Sequence, residues 1–171
     1  MVTIECVTAE QAQASLTELI QLLQEAVNSG ASVGFLPPLS DDMAWVYWQS
    51  TIDAVAHGTC LLLVAHQDGH IVGTVQLALA TQPNAQHRAE VQKLMVHTRA
   101  RRQGIGQALM TAVDETARAA GRTLLVLDTR RGDVSEQLYL KQGYTRAGII
   151  PRYAQSANGA LDDTVIFYRM L

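Results

Sequence analysis

Arg101-Arg102-Gln103-Gly104-Ile105-Gly106 sets two glycines and clustered cations where an amphipathic helix begins. The helix follows from Ile105, Leu109, Val113, Ala117 and Ala120, apolar at three-to-four-residue spacing and halted by Gly121. Upstream, Glu90 to Val96 reads as a strand. A strand, a glycine turn and a helix in that order leave the first helical N–H groups unpaired and available to an anion. Gly104 and Gly106 have no Cβ, so a ligand can approach the backbone closely. Arg99, Arg101 and Arg102 bring local positive charge to a chain of formal net charge −3. The stretch is expected to be a phosphate cradle, the competing reading being a turn with a solvated arginine cluster.

Two familiar phosphate loops do not fit. Gly106 is followed by Gln107 and Ala108, where a Walker A loop needs Lys and Ser or Thr. The third glycine of a dinucleotide fingerprint is replaced by Leu109, and the segment lies past the middle of the chain.

Outward from the cradle, Leu16, Leu19, Ile20, Leu23 and Val27 mark an early helix ending near Gly30. Residues 30–38 read as a loop, and Ser40 caps a second helix expected to carry Trp45, Trp48, Ile52 and Val55 inward. Cys60–His66 and Ile71–Leu79 form an antiparallel pair around the Asp68-Gly69 turn. After the cradle helix come a strand at Leu124–Leu127, reached by a right-handed crossover, a short helix at Ser135–Gln142, and strands at Tyr144–Ile149 and Thr164–Met170. The fold class is α/β, a mixed sheet flanked by helices, and 171 residues suit one domain spanning residues 1–171.

Composition narrows function. A sequence pI near 5.9 argues against nucleic-acid binding. The amino terminus has neither a basic region nor a long apolar run, so neither a membrane span nor a signal peptide is expected, and the chain is placed in the cytoplasm. Cys6 and Cys60 are expected reduced and buried. His66 and His70 flank a turn, so no helix presents them together and no metal site is assigned.

Three side chains offer proton chemistry. Glu90 begins the strand before the cradle and Asp128 ends the strand after its helix, so they should lie on neighbouring strands. Strict alternation would give Glu90, Gln92 and Leu94 one face. Either carboxylate could take a proton from an amine; Glu90 could instead sit at a wet strand end, and Asp128 could cap the turn 129–132. Asp133 is read as the cap of the Ser135 helix. Tyr139 holds its proton at neutral pH and can donate it, or can simply be core.

Arg101-x-x-Gly104-x-Gly106, followed in order by Leu138-Tyr139-x-x-x-Gly143-Tyr144, resembles the GNAT acetyltransferase superfamily over roughly residues 60–149. The resemblance implies a mostly antiparallel twisted sheet with a central strand-loop-helix site for acetyl-CoA. Leu94, Met95 and Val96 would hold the pantetheine arm through their backbone, and Arg101, Arg102, Gln103, Gly104, Ile105, Gly106 and Gln107 the diphosphate. Glu90, with Asp128, would take the amine proton, and Tyr139 would return one to the departing sulfur after direct attack on the thioester. The superfamily often has asparagine seven positions before this tyrosine; Gly132 stands there.

Residues 30–35, 88–96, 127–129 and 144–146, with Pro151 and Tyr153, are similar to the tabtoxin-resistance branch of that superfamily, which acetylates a toxic β-lactam amino acid. This implies a small amino-acid-like amine as partner, bound by Ser32, Phe35, Glu90, Asp128 and Tyr153. A protein lysine or N-terminal acetyltransferase and a noncatalytic acyl-CoA-binding module remain the alternatives. Members are often homodimers, though no residue here fixes an interface.

Overall fold

The computed structural model describes residues 1–171. A seven-stranded sheet in the order β1-β2-β3-β4-β5-β7-β6 organises the chain. Its strands are β1 (Val2–Val7), β2 (Cys60–Gln67), β3 (His70–Leu79), β4 (Arg88–Val96), β5 (Leu124–Arg130), β6 (Thr145–Gln155) and β7 (Leu161–Met170). Only β4 and β5 run parallel; every other neighbouring pair is antiparallel.

Five helices cover the sheet: α1 (Ala9–Ala14), α2 (Leu16–Asn28), α3 (Asp41–Ala56), α4 (Ile105–Ala119) and α5 (Ser135–Lys141). On β2 the alternation is plain. Leu63 and Ala65 join a core shared with α4, whereas Leu62 and Val64 join one shared with α2 and α3. Side chains such as Leu109 and Trp48, wholly withdrawn from water, contribute about 1.5–3 kcal/mol each before ordering costs. Gly73 on β3 lets α4 settle close to the sheet, because a Cβ there would lie 3.0 Å from the Met95 carbonyl oxygen and 3.2 Å from Leu109 Cδ1.

Several expectations need correction. β1 and α1 are additional to the elements expected from the sequence pattern. Thr8 and Gln11 cap α1 reciprocally, with Thr8 N–H donating to Gln11 Oε1 at 2.8 Å and Gln11 N–H to Thr8 Oγ1 at 3.3 Å. Cys6 is exposed rather than buried: it shares a face of edge strand β1 with Val2 and Ile4, which are themselves only partly covered; both cysteines are free. Trp45 is 50% exposed. The buried stripe of α3 runs through Ala44, Trp48, Thr51 and Ile52, and Trp45 stands about 100° of helix rotation past Ala44.

Glu90, Gln92 and Leu94 do not share one face. The register between β3 and β4 slips between Thr74 and Gln76, and Lys93 adopts a left-handed φ of +52°. This bulge inverts the alternation: Ala89 and Val91 enter the α4 core and Leu94 packs against it, whereas Met95 enters the α2–α3 core. Glu90 and Gln92 therefore face away from Leu94.

Candidate active site

The strands β4 and β5 pair only at Arg88–Leu124, Ala89–Leu125 and Glu90–Val126. Beyond Glu90 the two diverge, and the outer backbone edge of β4 from Gln92 to Val96 borders an opening. Helix α4 starts at its mouth. Gly104 caps α4 in the left-handed region at φ +80°, without a side-chain bond. Ala108 N–H closes the first turn on the Gly104 carbonyl at 3.0 Å, which leaves the N–H groups of Ile105, Gly106 and Gln107 for an outside acceptor.

A cleft of about 590 Å³ runs from this helix end along β4, lined by Leu94, Met95, Val96, Arg101, Arg102, Gly104, Ile105 and Gly106. Met95 offers its backbone, its side chain being 3% exposed in the core. Arg101 also braces the loop, with Nε donating to the Val96 carbonyl at 3.1 Å and Nη2 to Ser29 Oγ at 3.1 Å. Two expected cofactor residues stand outside the cleft lining. The Gln103 side chain is turned aside, its Nε2 donating to the Arg99 carbonyl and its Oε1 accepting from Gln67. The exposed Gln107 side chain likewise does not line the cleft, leaving its backbone N–H as its contribution. Arg99 borders a separate hollow with Glu18 and His97.

A second cavity, about 370 Å³, opens from the first across Ala31, Leu94, Arg130, Asp133 and Ser135, which line both. Here the structure brings together Glu90, Asp128, Tyr139, Ser32 and Tyr153. Phe35 is not among them. It lines an adjacent hollow and packs edge-on against Tyr47, ring centroids 5.3 Å apart, because the loop turns at Gly34 (φ +91°).

The side chains expected to handle protons occupy contrasting surroundings. Asp128 is exposed on β5, which runs two residues past it rather than ending there, and does not cap the following turn; Glu136 takes that role, accepting Gly132 N–H at 2.6 Å. The Thr164 hydroxyl stands 2.7 Å from Asp128 Oδ2 and 2.9 Å from the Thr129 carbonyl, and donates to one of them. Asp133 does brace the start of α5, accepting Ser135 N–H at 2.9 Å. Tyr139 is 6% exposed, its ring 5.9 Å from both Tyr144 and Phe167. Burial pushes its phenol well above the ordinary tyrosine range, with the Asp133 and Asp128 charges adding to the rise. The phenol therefore stays protonated at any neutral pH.

Lys93 and Arg130 line the second cavity too. Neither stood out in the sequence, since a lysine in a strand reads as a solvated side chain and carries no mark of a bulge. No group of three or more His, Cys, Asp or Glu side chains converges as a metal site, and no helix is long and apolar enough to cross a membrane.

Known proteins share this fold and part of this sequence. The sequence profile of the Acetyltransferase (GNAT) family matches residues 18–144. An "Uncharacterized N-acetyltransferase in hisH-hisA intergenic region" of Azospirillum brasilense is 32% identical over 117 residues, 67% of this chain and 68% of the relative. The fold matches a ribosomal-protein-alanine N-acetyltransferase from Brucella melitensis with a TM-score of 0.82 at 22% identity, covering 99% of each chain. It also matches a putative acetyltransferase from Salmonella typhimurium solved with its cofactor acetyl-CoA, with a TM-score of 0.79 at 17% identity over 100% of this chain and 94% of the other.

Proposed function

Because this chain belongs to the GNAT acetyltransferase family and is an acetyl-CoA-dependent N-acetyltransferase, we propose that it acetylates the amine of a small, amino-acid-like molecule in the cytoplasm, as one catalytic domain. A tabtoxinine-type toxin is the example that the sequence resemblance suggests. The carrying observation is the second cavity: about 370 Å³, bordered by the Ala31–Gly34 loop, joined to the cofactor cleft, and lined by Glu90 and Asp128, two carboxylates without a basic partner, together with the buried phenol of Tyr139. That volume suits a small acceptor.

The residues present fit the nucleotide. Three N–H groups without helical acceptors, the Arg101 and Arg102 charges and the open side of Gly104 form an anion cradle. The unpaired edge of β4 suits an extended amide-bearing arm. When bound, acetyl-CoA supplies an activated acyl thioester open to direct attack by an amine. An ammonium must first lose a proton, since ordinary amines titrate near ~10. Glu90, with Asp128, lies where it can accept that proton directly or through water. Tyr139 holds a proton for the departing sulfur.

The test is mass spectrometry of an amine library, including free amino acids and peptides, after incubation with acetyl-CoA and purified protein. A mass gain on small amino-acid-like amines supports the reading. Acetylation confined to peptides, or binding of acetyl-CoA with no acetylated product, overturns it.

A further inference from the structure

The second cavity holds more charge than amine acetylation requires, and most of it is already matched. Asp133 and Asp162 face Arg130, whose Nη2 is 3.4 Å and Nη1 3.9 Å from their carboxylates. Arg130 also donates to the Gly30 carbonyl at 3.3 Å, so its guanidinium is committed to tying the loop to β5. Asp163 pairs with Arg131 at 3.1 Å and accepts Arg152 N–H at 3.0 Å. Three charged groups are left over: the carboxylates of Glu90 and Asp128, and the ammonium of Lys93.

Lys93 has an unusual setting. Its backbone occupies the left-handed region at the β4 bulge, a conformation that costs a β-strand lysine energy. The turn carries the side chain beneath the Ala31–Gly34 loop, with Nζ 5.6 Å from the centroid of the Tyr47 ring. A Cβ on Gly34 would stand 3.5 Å from that nitrogen, so the roof at this point is bare backbone. Burial lowers the ammonium's proton affinity, while Glu90 and Asp128 act in the opposite sense. Neither carboxylate is within the 4.0 Å of an ion pair with it. A half-buried cation that faces an aromatic ring and has no ion-pair partner is poised to receive an anion.

We propose that Lys93 is the receptor for a carboxylate on the acceptor, so that the cavity selects zwitterionic amino acids over plain amines. The inference rests on the amine-acetyltransferase reading and adds the specificity residue. The leftover charges are complementary to such a molecule: two carboxylates for its ammonium, one ammonium for its carboxylate. Lys93 also lies three residues along β4 from Glu90, so both ends of the molecule are addressed by one strand and the amine is oriented as it is bound.

The experiment compares each amino acid with its decarboxylated amine as acceptor for wild-type protein, Lys93→Met and Lys93→Arg. Calorimetric titration of the same pairs into the coenzyme A-loaded protein gives a readout that needs no turnover. Wild type should favour the acid in kcat/KM by roughly 10- to 100-fold, the worth of a charge-assisted hydrogen bond. Lys93→Met should bring the ratio to about one, and Lys93→Arg should retain a preference. Equal use of acid and amine by wild type, or an unchanged ratio in Lys93→Met, overturns the proposal. Lys93-dependent binding of amino acids without acetyl transfer would sink the transferase reading and leave the receptor standing. Failure of both classes to bind or react removes both.

Discussion

Tyr139→Phe separates a phenol that donates a proton from one that only fills the core. The ring is 6% exposed and sits between Tyr144 and Phe167, so phenylalanine keeps its volume and contacts. The cost to folding is at most the net worth of one hydroxyl interaction, about 1 kcal/mol, or about 2–4 °C in Tm for a domain of this size. Loss of a general acid is larger, about 10²- to 10⁴-fold in kcat, equivalent to about 2.7–5.5 kcal/mol of barrier. Burial holds the proton on the phenol. The same apolar surroundings penalise a bare thiolate, so donor and acceptor shift in the same direction. A thiol-release assay gives kcat, and calorimetry gives the coenzyme affinity, which should stay within about twofold because the diphosphate cradle is untouched. The wild-type rate should show no alkaline limb from Tyr139 near neutral pH. A variant with kcat within twofold of wild type and Tm lower by only those few degrees would refute the reasoning and leave Tyr139 as core.

Glu90 is exposed and has no hydrogen-bonded partner to lose; Glu90→Gln should therefore change stability by less than about 0.5 kcal/mol while lowering kcat by roughly 10²-fold or more, as thermal melts beside the same assay would show. Gly73→Ala pushes a methyl against the Met95 carbonyl, Leu109 and Ile105; it should cost about 1–3 kcal/mol and weaken coenzyme binding by displacing the start of α4, and an unchanged Tm would contradict that packing. Lys93 has a folded-state pKa below its ordinary value, so between the two values the unfolded chain binds more protons and stability climbs as pH rises, the penalty being complete below the folded value. Melts of Lys93→Met across that alkaline range should lack this slope, and at pH 7 the variant should melt above wild type; a lower Tm at pH 7 would contradict it.

The sequence was most readable where local chemistry repeats over several turns. The α4 stripe, the Asp68-Gly69 hairpin and the glycine loop each carry their own signal, and the crossover from β4 to β5 follows from them. β1 was harder because its six residues become a strand only by pairing with β2, more than fifty residues away. α1 is too short for periodicity, yet Thr8-x-x-Gln11 was a usable cap signal. Glu90, Asp128 and Tyr139 were legible by position relative to the loop, and the structure gathers them in one cavity. Lys93 was not, because nothing in Gln92-Lys93-Leu94 announces that a bulge will invert the strand. Gly73 did leave a trace: a glycine inside an apolar strand marks a close approach. Phe35 faces the hollow beside the acceptor cavity because the turn at Gly34, which no periodicity marks, decides its direction.

The transferase reading stands on a diphosphate gripped by the backbone at the start of α4, with the acyl end directed toward Tyr139. A crystal structure of the protein with acetyl-CoA measures this directly. It should show diphosphate oxygens within hydrogen-bond distance of the Ile105, Gly106 and Gln107 amides, the pantetheine along β4 from Leu94 to Val96, and the sulfur beside the Tyr139 hydroxyl. A nucleotide seated away from that helix end, or a sulfur remote from Tyr139, would contradict it.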